Sequence, residues 1–215
     1  MFASPGLAPC RRCPVSSNVR PHRADLACRN NRCEEPSMEF RSIGRDHSRE
    51  VTDLFRSCFT SSEGAEEGDA IAALAEELAS AIDDESIFCF AAFESEAMVG
   101  AIFFTKLTFQ STAQVYMLSP VAVLTRRQRQ GIGKKLIAFG LSGMQARGAQ
   151  VAVTYGDPEF YGKVGFLPLP EDRLQAPMKL SMPFGWLGRS LTEAPIPTLG
   201  DRPKCVGAFN DPQYW

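Results

Sequence analysis

Histidine is almost missing from this chain of 215 residues: there are two, His22 and His47, and both precede the main run of core-patterned helices and strands. A Ser-His or Cys-His nucleophile pair, or a two-His zinc site, therefore has no place in the main body of the sequence. Long apolar runs are missing too. The longest, residues 87–93, is strand-sized and far short of the ~20 residues that cross a bilayer, so no membrane partner is expected. Nor is there an excess of either charge. The formal net charge is −2, which offers no global attraction for nucleic acid. No internal repeat is present. What remains is a chain of roughly one-domain length with ordinary apolar content, able to bury a sizeable core.

The seven cysteines are unevenly placed. Cys58, Cys89 and Cys205 stand alone in apolar contexts and read as reduced residues of a cytoplasmic protein. Cys10, Cys13, Cys28 and Cys33 crowd residues 1–37, which hold six arginines, no lysine and little periodic hydrophobicity. Cys10-Arg-Arg-Cys13 has zinc-ligand spacing, but four residues separate Cys28 from Cys33, at the loose end of that range. The plainer reading is a lead-in without metal that cannot bury enough surface to fold alone. A disordered tail, or a choice of start site with Met38 as the true first residue, is favoured over a targeting segment. Asp25, Glu34 and Glu35 weaken the last option, and there is no apolar core for a secretory signal.

From Met38 the pattern sharpens. Residues 39–43 alternate as a short strand. Val51, Leu54, Phe55, Cys58 and Phe59 have helical spacing, residues 60–68 read as a Ser/Gly/Glu loop, and Ile71, Leu74, Ala75, Leu78 and Ile82 mark a second helix. Residues 87–93 and 98–104 form a hairpin around a turn at 94–97, and 115–123 is the next strand. A helix follows Gly131, with Ile132, Leu136, Ile137, Phe139, Leu141 and Met144 on its buried face and Gly148 as its stop. Residues 150–155 are another strand. Asp157 caps, and Pro158 opens, a short helix ending near Lys163. The domain is expected to span residues 38–180, with 181–215 wrapping the same domain as a strand and irregular chain. Such an order argues for an α+β, or mixed α/β, sheet packed by helices.

The sharpest signal lies between the 115–123 strand and the helix after it. The run Thr125-Arg-Arg-Gln-Arg-Gln-Gly131-Ile-Gly133-Lys-Lys135 is a basic turn closing on two glycines just as the helix begins. Glycines let backbone approach a ligand closely, and a helix start offers unpaired N–H groups and a positive dipole end to an anion. Neither the Gly-x-x-x-x-Gly-Lys-Ser/Thr loop of nucleoside-triphosphate sites nor Gly-x-Gly-x-x-Gly is met, since Lys135 and Leu136 stand at the deciding positions.

Two motifs carry a family resemblance: Gln128-Arg-Gln-Gly131-Ile-Gly133 and, about thirty residues on, Phe160-Tyr161-Gly-Lys-Val-Gly165-Phe166. With their strand and helix context, residues 38–180 resemble the GNAT superfamily of acyl-CoA-dependent N-acyltransferases. Thr125 stands where many relatives have Pro, and Asp157 where many have Asn. The resemblance implies a central, mostly antiparallel sheet with a splayed parallel strand pair, flanked by helices. It implies that the pyrophosphate of acetyl-CoA is held by Gln128, Arg129, Gln130, Gly131, Ile132, Gly133 and Lys134, and the pantetheine arm by the backbone of Val121, Ala122 and Val123. It implies transfer of the acetyl group to a primary amine of a small molecule or peptide by direct attack in a ternary complex, with Tyr161 as the acid that protonates the departing thiolate. It leaves the acceptor, the general base and the choice between monomer and homodimer open. A non-catalytic acyl-CoA-binding sensor or scaffold is the alternative from another class.

Overall fold

The computed structural model describes residues 37–215; the arginine-rich lead-in with Cys10, Cys13, Cys28 and Cys33 lies outside them. Strand β1 (Met38–Ile43) leads into helices α1 (Ser48–Glu63) and α2 (Ala65–Ser80). Strands β2 (Ile87–Glu94), β3 (Ala97–Leu107) and β4 (Val115–Val123) follow, then α3 (Ile132–Ala146), β5 (Val151–Tyr155), α4 (Pro158–Gly162), the two-residue β6 (Leu167–Pro168) and β7 (Trp186–Ser190). The strands form one sheet in the order β1-β2-β3-β4-β5-β7-β6, antiparallel except for the β4–β5 pair. The expected α+β architecture is the one that forms.

Strands β2 and β3 are buried on both faces, which is why they read as near-continuous apolar runs rather than alternating ones. Alternation instead divides their side chains between two cores. Cys89, Ala91, Phe93, Ala101 and Phe103 meet Phe55, Leu78 and their neighbours from α1 and α2, together with Trp186, Phe209 and Trp215 from the last thirty residues. Phe88, Phe90, Ile102 and Phe104 meet Leu136, Ile137 and Met144 of α3, with Tyr161 and Phe166.

Two expectations change. The loop foreseen at 60–68 is helical except for Gly64, whose φ of 102° reverses the chain between α1 and α2. Its Ser/Gly/Glu composition suits a loop, but close packing of the two helices overrides propensity. Gly68 lies so near Thr60 that a β carbon there would stand 2.8 Å from the Thr60 nitrogen. In α3, Phe139 is turned partly outward, 38% exposed, and rests on Phe40 and Phe90, while Gly140 takes the buried position against Ile102 and Phe104. Gly148, with φ 88°, ends α3 as expected.

The feature that positions the site is a fork. β4 and β5 pair only over Val115–Met117 and Val151–Val153. One residue further, Thr154 Oγ1 donates to the Leu118 carbonyl at 2.9 Å, and beyond that point the strands part. On its other side β4 bulges: Ser119 and Pro120 together oppose Phe103, between the Ile102–Val121 and Phe104–Leu118 pairs. A bulge re-aims the strand that carries it, and it is a place where the missing N–H of a proline does no harm.

Candidate active site

Past the bulge, β4 is tied to β3 on one side only. Leu124 N donates to Val99 O at 2.9 Å. In an antiparallel ladder the bonded positions alternate, so Ala122 bonds toward β3 while the N–H groups of Val121 and Val123 point into the open fork. Gln128 agrees with this: its side-chain nitrogen reaches the outward-turned Val123 carbonyl at 3.1 Å.

The turn after β4 ends at Gly131, which caps α3 with φ 78° and offers no side chain to the helix. A non-glycine residue would be strained in that conformation. Arg129 shares the left-handed region with φ 61°. The first intrahelical bond is Lys135 N to Gly131 O at 3.1 Å. The N–H groups of Ile132, Gly133 and Lys134 therefore have no partner within the helix, and they sit at its positive end.

These two backbone surfaces line one groove of about 700 Å³, completed by Phe160 and Lys163. Gly133 lies where the two walls meet: a β carbon there would make ordinary contacts with Val123 at 3.6 Å and Phe160 at 3.8 Å. No aspartate or glutamate occurs anywhere from Ala97 to Gly156, so the part of the groove wall from Val121 to Lys134 comes from an acid-free stretch of chain. Arg127 also lines it, but forms an ion pair with Glu94 at the end of β2. Arg129, Lys134 and Lys163 are the remaining cations on its wall. A larger hollow of about 1240 Å³ adjoins across Lys134 and Lys163, which line both, and adds Lys135, Arg173 and Arg189.

Tyr161 stands behind the groove rather than on its wall. It is buried, with Phe160 and Phe166 edge-on at 5.1 and 5.7 Å. Its hydroxyl faces the Thr154 side chain, which is itself bonded to Leu118, so the phenol lies at the apex of the fork. Burial pushes its pKa up; the neighbouring Thr154 hydroxyl opposes this and the nearby Asp157 carboxylate reinforces it. Asp157 does what its position predicts: it caps α4, accepting from Glu159 N at 2.8 Å.

Of the residues singled out from sequence, Val121, Val123, Gln128, Arg129, Gly131, Ile132, Gly133 and Lys134 come together in the groove. Ala122 is buried on the opposite face of the sheet. The Gln130 side chain folds back onto the Arg126 carbonyl at 3.3 Å. Lys163 and the ring of Phe160 join the wall from α4 and were not foreseen there. Only the spacing of the second motif from the first hinted that α4 returns to α3. Among the described residues no group of three or more His, Cys, Asp or Glu side chains is placed to hold a metal, and no helix is long and apolar enough to cross a membrane.

Comparison with known proteins places this geometry. The family description "Acetyltransferase (GNAT) domain" matches residues 39–168. The uncharacterized N-acetyltransferase YjhQ of Escherichia coli strain K12 is 30% identical over 133 residues, which are 57% of this chain and 73% of that protein. Among solved structures, the GNAT family N-acetyltransferase YhbS of Escherichia coli in complex with CoA superposes with a TM-score of 0.70 at 21% identity, covering 82% of this chain and 94% of that one. A GNAT family acetyltransferase from Brucella melitensis in complex with acetyl-CoA superposes with a TM-score of 0.59 at 25% identity, covering 82% and 100%.

Proposed function

The chain belongs to the GNAT acetyltransferase family, as an acetyl-CoA-dependent acyltransferase, and from that premise we propose that it moves the acetyl group of acetyl-CoA to a primary amine by direct attack in a ternary complex. The observation that carries this reading is the continuity of two donor sets. The unpaired N–H groups at the start of α3 and the outward N–H groups of Val121 and Val123 line a single groove leading into the fork.

In this reading the α3 N-terminus, with Arg129, Lys134 and Lys163, holds the pyrophosphate. Val121 and Val123 hold the pantetheine arm through backbone hydrogen bonds and present a donor to the thioester carbonyl. Such a donor gains strength as the oxygen becomes an oxyanion. The neutral amine nitrogen bonds to the carbonyl carbon and its surplus proton passes to water. Collapse of the tetrahedral adduct breaks the carbon–sulfur bond. Tyr161 then gives its phenolic proton to the departing thiolate and is reprotonated by solvent. The products are an acetamide and free coenzyme A.

Calorimetric titration of acetyl-CoA into the full chain, with Gly131→Glu alongside, tests the site. Glutamate adds a negative charge and a β carbon at φ 78°, so binding is expected in the wild type and a loss of at least ~100-fold in the variant. A folded wild-type protein that does not bind acetyl-CoA refutes the reading. Binding without release of coenzyme A thiol in the presence of amines would favour a sensor instead.

A further inference from the structure

The fork has two sides. The anion groove and the side chains of Val121 and Val123 lie on the α3 side, so a long ligand threaded between β4 and β5 delivers its far end to the α1–α2 side. Tyr155, the last residue of β5, packs on that side. A short segment closes over it there. Gly156 N donates to Gly185 O at 2.9 Å. The Tyr155 hydroxyl accepts from Met182 N at 2.7 Å and shares a hydrogen bond with Ser181 Oγ at 2.8 Å. Gly185 approaches so closely that a β carbon on it would stand 3.2 Å from both the Gly156 carbonyl and the Tyr155 ring. On its other flank Gly156 abuts the Tyr161 ring.

Residues 181–185 are thus pinned to the end of β5 by three hydrogen bonds, beside the residue chosen as acid. Yet their large apolar side chains are turned out. Met182 is 53% exposed and Phe184 68%, whereas Trp186, two residues on, is 1% exposed and in the core. An isolated exposed apolar residue needs no explanation. Two of them on an anchored turn at the exit of the fork are a preorganised surface, whose backbone loses little freedom when something packs on it.

We propose that Met182 and Phe184 form the seat for the acceptor, and that the acceptor is a primary amine carrying an aryl-sized apolar group a few bonds from its nitrogen. This rests on the acetyl-transfer reading. The reactant that must come to the exit of the fork is the amine, and these are the large exposed apolar side chains at that exit. They select the acceptor by covering its apolar body while its nitrogen reaches the thioester.

The test measures amine-dependent release of coenzyme A thiol by the full chain with 2-phenylethylamine and with ethanolamine, and acetyl-CoA binding by calorimetry in parallel. The kcat/KM for 2-phenylethylamine is expected to exceed that for ethanolamine by at least ~10-fold, the order set by burying a phenyl group. Phe184→Ala is expected to cut that ratio about 10-fold, mostly through KM, and Phe184→Leu to restore part of it. Acetyl-CoA affinity is expected to stay the same in both variants. The proposal is overturned if ethanolamine is used as well or better, if the ratio survives Phe184→Ala, or if a protein that binds acetyl-CoA does not acetylate 2-phenylethylamine. A protein that does not bind acetyl-CoA fails in the calorimeter first, which refutes the acetyl-transfer reading itself and this proposal with it.

Discussion

In the proposed reaction Tyr161 is the acid that protonates the departing thiolate. Burial, followed by repulsion from Asp157, keeps the phenol protonated beyond its ordinary range near 10, so it is available as an acid throughout the neutral range. Tyr161→Phe is expected to lower kcat by ~100-fold or more while acetyl-CoA affinity measured by calorimetry changes less than about twofold. In the wild type, a descending limb of kcat below pH ~10 would have to come from another group. A second residue stands out for the opposite reason. Thr105 is buried in the sheet with no partner for its hydroxyl among the described residues, a cost without visible return. Thr105→Val keeps the shape and removes the orphaned group, so thermal unfolding should shift upward, by about 1 kcal/mol in stability. At this scale much of the site was legible. Gly131 stands out because few other residues tolerate its left-handed backbone, and Tyr161 was singled out by its motif alone. Lys163 was not legible, because its role depends on how α4 docks beside α3, which no local pattern encodes.

Elements tell a different story. The helices, strands and stops from β2 to α4 could be read from period and punctuation, since each apolar face has a core to meet. The α1–α2 connection could not. Thr60 to Gly68 carries loop-forming residues, and only the close crossing of the two helices makes it helical. Gly68 is the contact point, and Gly68→Ala would press a methyl against the backbone of Thr60. Despite alanine's better helix propensity, this substitution is expected to destabilise the protein by ~1–3 kcal/mol, measurable by urea unfolding. An unchanged midpoint would mean that the helices can separate freely. The fork was expected only through the family resemblance, not from local pattern. The alternation of β4 reads as an ordinary strand, and neither its bulge at Ser119-Pro120 nor the early parting of β4 from β5 leaves a mark in hydrophobic period.

For the molecule as a whole, buried acidic protons set the response to alkali. Burial pushes the Cys58 thiol from an ordinary value of 9.0 up to about 11; Cys89, wholly buried, and Tyr161 are pushed the same way. Because the folded pKa values lie above the unfolded ones, the folded state holds more protons than the unfolded state once pH passes about 9. Stability is thus intact below that value and falls as pH rises through the folded pKa. Thermal melts are expected to give a level Tm from pH 7 to ~8.5 and a steady decline above it. Cys58 and Cys89 should also resist thiol reagents in the folded protein at pH 8, which keeps them out of the thiol-release assay.

The acid-free run from Ala97 to Gly156 has a consequence for time rather than for equilibrium. It contributes Arg129, Lys134 and Lys135 to one flank, where Lys163 joins them, while α2 opens with Glu66 and Glu67 on the other side of the sheet. A polyanion arriving by diffusion meets a field that turns it toward the groove before any contact is made. Its capture rate in stopped flow should therefore fall steeply between low and physiological ionic strength, with escape from the formed complex far less affected.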